Sequence, residues 1–131
     1  MKKHSINDPW EALVLSILSV NGYPIEKTYS ISDNLRKNGF FNPNKLAHYD
    51  FIDITRRIDS AGYKRGPFMT GLFSERLLAL GKFAREQGIE FCTEIISGDN
   101  ASKIEKFLLQ VNGIGPKVLS NYFSLRGIQK H

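Results

Sequence analysis

Two glycines flank one apolar residue in Gly113-Ile114-Gly115, between the predicted end of one helix and a proline that can start another. Glycine adopts positive φ angles easily, so we expect both glycines to take them and form a tight hairpin. We expect Ile114 to point inward and hold that hairpin on the core. The hairpin and a helix starting near Pro116 would present unpaired backbone N–H groups, which suit an anion such as a DNA phosphate. The alternative is a glycine-rich bend that only connects two helices.

The distribution of charge also indicates an anionic partner. The chain carries a formal net charge of +5, and its pI is near 9.4. The segment 106–131 has no acidic side chain and four basic ones, hence a charge of +4: Lys106, Lys117, Arg126 and Lys130. The first 105 residues, with 14 basic and 13 acidic side chains, carry only +1. A basic end on a nearly neutral body makes nucleic acid the first candidate partner. The alternative is a solvated basic segment without a ligand.

The elements that must position these residues are predicted to be helices. Apolar residues recur at helical spacing, and no segment alternates as a half-buried strand would. The predicted helices begin at the Asp8-Pro9 cap and then cover about 25–38, 43–47, 50–62, 70–87, 102–111 and the segment after 116, with 63–67 as a loop. A chain of 131 residues fits one domain, residues 1–131. We therefore expect an all-α fold, a multi-helix orthogonal bundle of seven or so helices.

Composition excludes several classes of protein. The chain is 41% hydrophobic and 24% charged, as in ordinary globular domains, and no apolar run approaches the ~18 residues that a membrane span needs. The first residues lead into a polar stretch rather than a signal-peptide core. The one cysteine, Cys92, can form no intramolecular disulfide and has no histidine at zinc-ligand spacing. We expect Cys92 to be a buried apolar residue. We also expect the protein to hold no metal and no cofactor and not to be secreted.

The residues around the two glycines resemble the helix-hairpin-helix motif of the endonuclease III superfamily of DNA glycosylases: Val111-Asn112-Gly113-Ile114-Gly115-Pro116-Lys117. The motif would occupy about residues 104–126. The segments 8–21, 42–46 and 58–63 resemble further landmarks of that family in the same order. The resemblance covers about residues 7–128, and it implies the helical-barrel half of a glycosylase. The segment 64–73 is longer than the usual family pattern.

The resemblance implies roles for individual residues. Enzymes of this family extrude a damaged base from duplex DNA and cleave its glycosidic bond. In members that also cut the strand, a lysine after the hairpin attacks the sugar C1′ and forms a Schiff base. Lys117 occupies that position, and the alternative is a surface lysine that contacts a phosphate. DNA contacts are implied for the hairpin as a whole: Asn112, Gly113, Ile114, Gly115 and Lys117.

Two residues outside the hairpin also match family positions. Asn21 matches a glutamine that fills the gap left by the extruded base, although Asn21-Gly22 is equally a signal for the end of a helix. Tyr63 matches a wedge position beside that gap. The alternative for Tyr63 is a ring that covers an edge of the core.

The chain also departs from the family pattern. The catalytic aspartate of the family follows the hairpin, whereas no residue after Glu105 is acidic, and the four-cysteine iron–sulfur segment is missing. Leu119 replaces a small residue where the second hairpin helix packs closely. Three interpretations remain: a protein with at most abasic-site lyase activity through Lys117, a non-catalytic DNA-binding module, and a half-enzyme that needs a partner chain. All three predict binding to intact, abasic or damaged double-stranded DNA, in the cytoplasm with the nucleoid or in the nucleus.

Overall fold

The computed structural model describes residues 5–129, which fold into nine α-helices and contain no β-strand. The predicted all-α fold is therefore confirmed. The helices are α1 (Pro9–Leu18), α2 (Ile25–Ser30), α3 (Ser32–Lys37), α4 (Pro43–Leu46), α5 (Phe51–Ser60), α6 (Gly66–Gln87), α7 (Ile89–Ile96), α8 (Ala101–Leu108) and α9 (Pro116–Arg126). Of the basic residues named above, Lys130 lies outside the described residues.

Helix α1 lies at the centre of the fold, where α2, α6, α7 and α9 pack around it. Its sequence is apolar on nearly every side, and such a helix is stable only when it is buried all round. Residues 12–18 are buried accordingly. The predicted cap is present, because the Asp8 carboxylate accepts a hydrogen bond from the Trp10 amide at 3.1 Å. The Trp10 indole Nε1 donates to Thr93 Oγ1 of α7 at 2.8 Å.

Side-chain caps fix where other helices begin. Asp50 and Asp53 form a reciprocal capping box at the start of α5, as the sequence predicts for Asp50. The predicted start of α8 at Ser102 is one residue too late. The Asn100 side chain accepts from the Lys103 amide and begins the helix at Ala101, so Ser102 lies inside its first turn.

Three predicted helix boundaries are also wrong. The helix expected over 25–38 is two helices, because at Ile31 (φ −106°, ψ 13°) the chain makes one non-helical step. Helix α6 begins at Gly66 rather than after a loop, because Gly66 takes a φ of +83° and Pro67 suits a first helical turn, where no amide donor is needed. The sequence analysis also missed α7, which Gly88 (φ +95°) separates from α6.

Cys92 lies on the inner side of α7. Its side chain is buried, as predicted, and burial raises the pKa of its thiol. Among residues 5–129 no group of three or more metal-binding side chains is close enough to hold an ion. The same stretch contains no helix with the length and apolar character that crossing a membrane demands.

Candidate nucleic-acid interface

Helices α8 and α9 are joined by a seven-residue connection, residues 109–115, which we call the hairpin. Gly113 has the expected positive φ, +96°. The same prediction is wrong for Gly115, whose φ of −126° and ψ of −167° are extended backbone open to any residue. Ile114 points inward as predicted: its side chain is buried, and its amide donates to the Val111 carbonyl at 3.1 Å. One glycine and one anchoring isoleucine therefore define the turn.

The hairpin leads into the open N-terminus of α9. Pro116 is the first helical residue, and no side chain caps the helix at Gly115. The amides of Lys117 and Val118 lie in the first turn, where a helix offers no intrahelical acceptor. The positive end of the helix dipole coincides with these donors. The Asn112 and Lys117 side chains are exposed beside them, so this end of α9 presents donors and a positive charge to solvent.

Arg76 of α6 lies against the hairpin. A Cβ atom added to Gly113 would stand 2.7 Å from Arg76 Cγ and 3.0 Å from Arg76 Cδ, so the arginine stem occupies the space that the glycine leaves. The Arg76 guanidinium lies over the Phe73 ring, 5.0 Å from its centre. Sequence reasoning missed this residue. The available signal was the spacing of Phe73 and Arg76, three residues apart in a predicted helix, which places both on one face.

Arg65 connects α6 to the loop after α1. Its guanidinium donates to the Asn21 carbonyl at 2.6 Å and to the Val20 carbonyl at 3.0 Å. The same group lies over the rings of Tyr23 and Phe73, at 4.7 and 5.1 Å. Asn21 is exposed and has a φ of +59°, and α1 ends before it at Leu18. Asn21 therefore forms part of the turn that its sequence signal indicates, and Arg65 fixes its backbone.

Tyr63 belongs to the core. Its side chain has 0% exposure, and its hydroxyl donates to the Leu18 carbonyl at 2.7 Å while accepting from Arg65 Nη1 at 3.0 Å. Its ring contacts Tyr23 and Phe73 edge-on. Burial raises the pKa of Tyr63 to about 12. Of the two interpretations of Tyr63, the structure matches the core residue, because a ring without exposed surface offers none to a base.

Apart from Tyr63, which lies in the core, contacts made by Arg65 and α6 connect Asn21 to the hairpin. The contacts run from Asn21 to Arg65, from Arg65 to Phe73, and from Phe73 through Arg76 to Gly113. A second connection supports this arrangement. Asn121 Nδ2 in α9 donates to the Ser19 carbonyl at 3.2 Å, so α9 is tied to the end of α1.

The cations along this connection and at the start of α9 have no carboxylate partner in the part of the chain that the structure describes. The ion pairs within residues 5–129 join Arg36 to Glu11 and Asp33, and Lys64 to Asp59. Arg65, Arg76 and Lys117 take part in none of them. Carbonyl oxygens and aromatic rings hold Arg65 and Arg76 in place without neutralising their charge. This arrangement favours the approach of an anion from solvent.

The outer side of the α8–α9 pair carries a groove of about 370 Å³. Its apolar lining comes from the hairpin, from α9 and from the following segment, among them Leu109, Leu119, Phe123 and Ile128, and Glu105 of α8 also lines it. Leu119, singled out above as unusually large for its place, is buried there. The half-enzyme interpretation predicts an apolar surface of this kind.

Comparison with known proteins adds no relative: no family model, no curated protein and no solved structure matches the chain.

Proposed function

We propose that this chain binds DNA through the phosphate backbone, using the hairpin, the first turn of α9 and Arg76. The observation that carries the proposal is the position of Arg76, a cation without an ion pair among residues 5–129, against Gly113 of the hairpin that leads into the uncapped N-terminus of α9. Backbone amides would bind the phosphate oxygens directly, while Arg76 and Lys117 would supply charge from either side. None of these contacts reads a base, so the proposed binding is independent of sequence.

Phosphate binding of this kind has a measurable signature. Each phosphate that a protein neutralises releases condensed counterions, so affinity falls as salt rises, by roughly 0.9 log units per log unit of salt for each contact. We expect binding to a fluorescently labelled duplex, followed by anisotropy, to weaken steeply with salt. Arg76→Ala and Lys117→Ala should each reduce the slope by about one.

Lys37→Ala is the matched control. Lys37 is exposed on α3, which packs on α2 and α5, and it makes none of the ion pairs given above. This variant loses one positive charge, as Arg76→Ala and Lys117→Ala do, but loses it away from the hairpin. An affinity that does not change with salt would contradict the proposal. Equal slopes for the three variants would assign the binding to net charge rather than to the hairpin.

Abasic-site lyase activity is a second candidate function, favoured by one observation. Lys117 is exposed in the first turn of α9, where a phosphate held by the amides would bring a DNA strand close to its amine. An amine condenses with the aldehyde of an open abasic sugar, releasing water and forming an imine, and β-elimination then cleaves the strand. That chemistry needs no aspartate to expel a base.

Borohydride trapping on a duplex with one abasic site tests this candidate. Reduction of the imine would leave a covalent complex with the wild-type chain and none with Lys117→Ala. A complex that persists in Lys117→Ala would exclude Lys117 as the nucleophile. The absence of a complex in both proteins, with salt-dependent binding intact, would favour a non-catalytic DNA-binding module or a half-enzyme completed by a partner chain.

In each case the proposed setting is base-excision repair of double-stranded DNA, in the cytoplasm with the nucleoid or in the nucleus. The resemblance of residues 104–126 to a glycosylase helix-hairpin-helix motif supports this setting.

A further inference from the structure

Phe68 is the most exposed large apolar side chain in the described part of the chain, with 79% of its surface in solvent. It lies in the first turns of α6. A single exposed ring is ordinary on a protein surface. The position of this ring on α6 relative to the hairpin is what gives it significance.

Phe68, Leu72 and Arg76 recur every four residues along α6 and so lie along one side of the helix. At a rise of 1.5 Å per residue, Phe68 is about 12 Å from Arg76 along the helix axis. Since Arg76 lies on Gly113, this side of α6 leads from the hairpin to the exposed ring. A strand whose phosphate is bound at the hairpin would have neighbouring nucleotides within reach of Phe68.

Two cations flank Phe68 along the chain, Arg65 three residues before it and Arg76 eight residues after it. Neither forms an ion pair within residues 5–129, and α6 begins without a side-chain cap. An exposed aromatic ring between cations suits a nucleotide, whose base stacks on the ring while its phosphate meets the charge. Inside an intact duplex every base is already stacked on its neighbours. A ring in this position can therefore stack only on a base that has lost its partner or its neighbour.

We propose that Phe68 stacks on an unpaired base next to the phosphate held at the hairpin, so that the chain binds locally unpaired DNA in preference to intact duplex. This inference rests on the proposed phosphate binding, to which it adds a specific kind of DNA. It assigns the stacking role to an exposed residue of α6 rather than to Tyr63, which is buried.

The test compares three labelled DNAs of one length: an intact duplex, a duplex with a three-nucleotide bulge, and a single strand. We expect the wild-type chain to bind the bulged duplex at least fivefold more tightly than the intact one. Phe68→Ala should remove this preference and leave binding to the intact duplex unchanged, and Phe68→Trp should retain it. A 2-aminopurine in the bulge should be quenched by the wild-type chain and not by Phe68→Ala, because stacking quenches its fluorescence.

Phe91→Ala is the matched control, since Phe91 is another exposed aromatic residue, 52% exposed, on α7. It should retain the preference for the bulge. If the chain binds no DNA, both the phosphate proposal and this inference fail. If the chain binds DNA with the expected salt dependence but Phe68→Ala keeps the preference, this inference alone fails. Loss of binding to vesicles of anionic phospholipid in Phe68→Ala, with DNA binding unchanged, would assign the ring to a lipid surface and would also overturn the inference.

Discussion

Among the arginines that stack on phenylalanine rings, Arg36 and Arg76 differ most clearly in what else they contact. The Arg36 guanidinium lies 5.4 Å from the ring centre of Phe41, and the Arg76 guanidinium lies 5.0 Å from that of Phe73. Arg36 also forms ion pairs with Glu11 at 2.7 Å and Asp33 at 2.6 Å. Arg76 forms no ion pair within residues 5–129 and lies against the glycine of the hairpin.

The difference separates a structural cation from one open to a ligand. The hydrogen bond to Glu11 raises the pKa of Arg36, and the bond to Asp33 acts in the same direction. Glu11 lies on α1 and Arg36 on α3, so this ion pair ties two helices together. Arg76 contacts a ring and the glycine of the hairpin, but no ion pair among the described residues compensates its charge. We infer that the anion of Arg36 belongs to the fold and that the anion of Arg76 comes from outside.

The largest effect is expected from the glycine under Arg76. In Gly113→Ala the new Cβ would stand 2.7 Å from Arg76 Cγ at a φ of +96°, so the arginine must move and the backbone is strained, at a cost of about 1–3 kcal/mol. We expect a lower melting temperature and at least a tenfold loss of affinity for duplex DNA.

Gly115→Ala is the matched control for that variant. Apart from its two neighbours in the chain, Gly115 has no atom within 4 Å of an added Cβ, and its φ is ordinary. The melting temperature of Gly115→Ala should equal that of the wild type. Equal destabilisation by the two substitutions would mean that the hairpin does not depend on the conformation of Gly113.

Exchanging the two arginines for alanine tests the comparison directly. Arg76→Ala should weaken duplex binding about fivefold at low salt and leave the melting temperature nearly unchanged. Arg36→Ala should leave DNA binding unchanged and lower stability by roughly 1 kcal/mol, because exposed ion pairs contribute about 0.2–1 kcal/mol each. Anisotropy titrations and thermal unfolding of both variants measure the two effects. A stability loss in Arg76→Ala as large as that in Arg36→Ala would make Arg76 structural as well.

The sequence predicted the hairpin better than the surface around it. Gly113, Ile114 and Pro116 act within a few residues of one another, so local preferences determine their conformations. Arg65 and Arg76 contact segments that lie more than thirty residues away along the chain. No periodicity in the sequence reveals such contacts. Their positions follow from how α6 packs, which the sequence analysis could only describe as a long helix.

The boundaries of α6 and α7 show a second limit of sequence reasoning. The sequence alone indicates a break at Gly66-Pro67 and only the end of a helix at Gly88. Glycine and proline can also stand at the start of a helix. Whether they begin a helix or end one depends on tertiary packing. Tyr63 illustrates the point: a tyrosine after a glycine is equally suited to a surface and to a core. In the structure Tyr63 lies in the core, where its hydroxyl donates a hydrogen bond to the Leu18 carbonyl.

Tyr63→Phe tests that structural role. Removing the buried hydroxyl leaves the Leu18 carbonyl without this donor and should destabilise the fold by about 1–2 kcal/mol, with duplex affinity unchanged. The pKa of Tyr63 is about 12 in the folded chain, above its ordinary value of 10.0. The folded state therefore holds the proton more tightly than the unfolded state does. This contribution to stability is complete below pH 10 and is lost as pH rises toward 12.

Urea unfolding at a series of pH values measures this loss. The free energy of unfolding of the wild type should fall between pH 10 and 12, and that of Tyr63→Phe should fall less steeply. Some decline should remain, because burial also raises the pKa of Tyr122 to about 12. An identical decline in the two proteins would show that Tyr63 does not titrate with the fold, and a changed duplex affinity would show that it affects the DNA surface.

The smallest effect is expected from Glu75, an exposed carboxylate next to Arg76 on α6. Glu75→Gln removes a negative charge close to the proposed phosphate site and should raise duplex affinity about twofold at low salt. The gain should vanish at high salt, because exposed charges are screened beyond about 10 Å at 0.1 M. Glu86→Gln is the matched control, since Glu86 is exposed on the same helix about 16 Å farther along the axis. A gain in Glu75→Gln and none in Glu86→Gln would mean that α6 acts on a phosphate locally. Equal gains in both variants would leave only the net charge of +5 as the cause of binding.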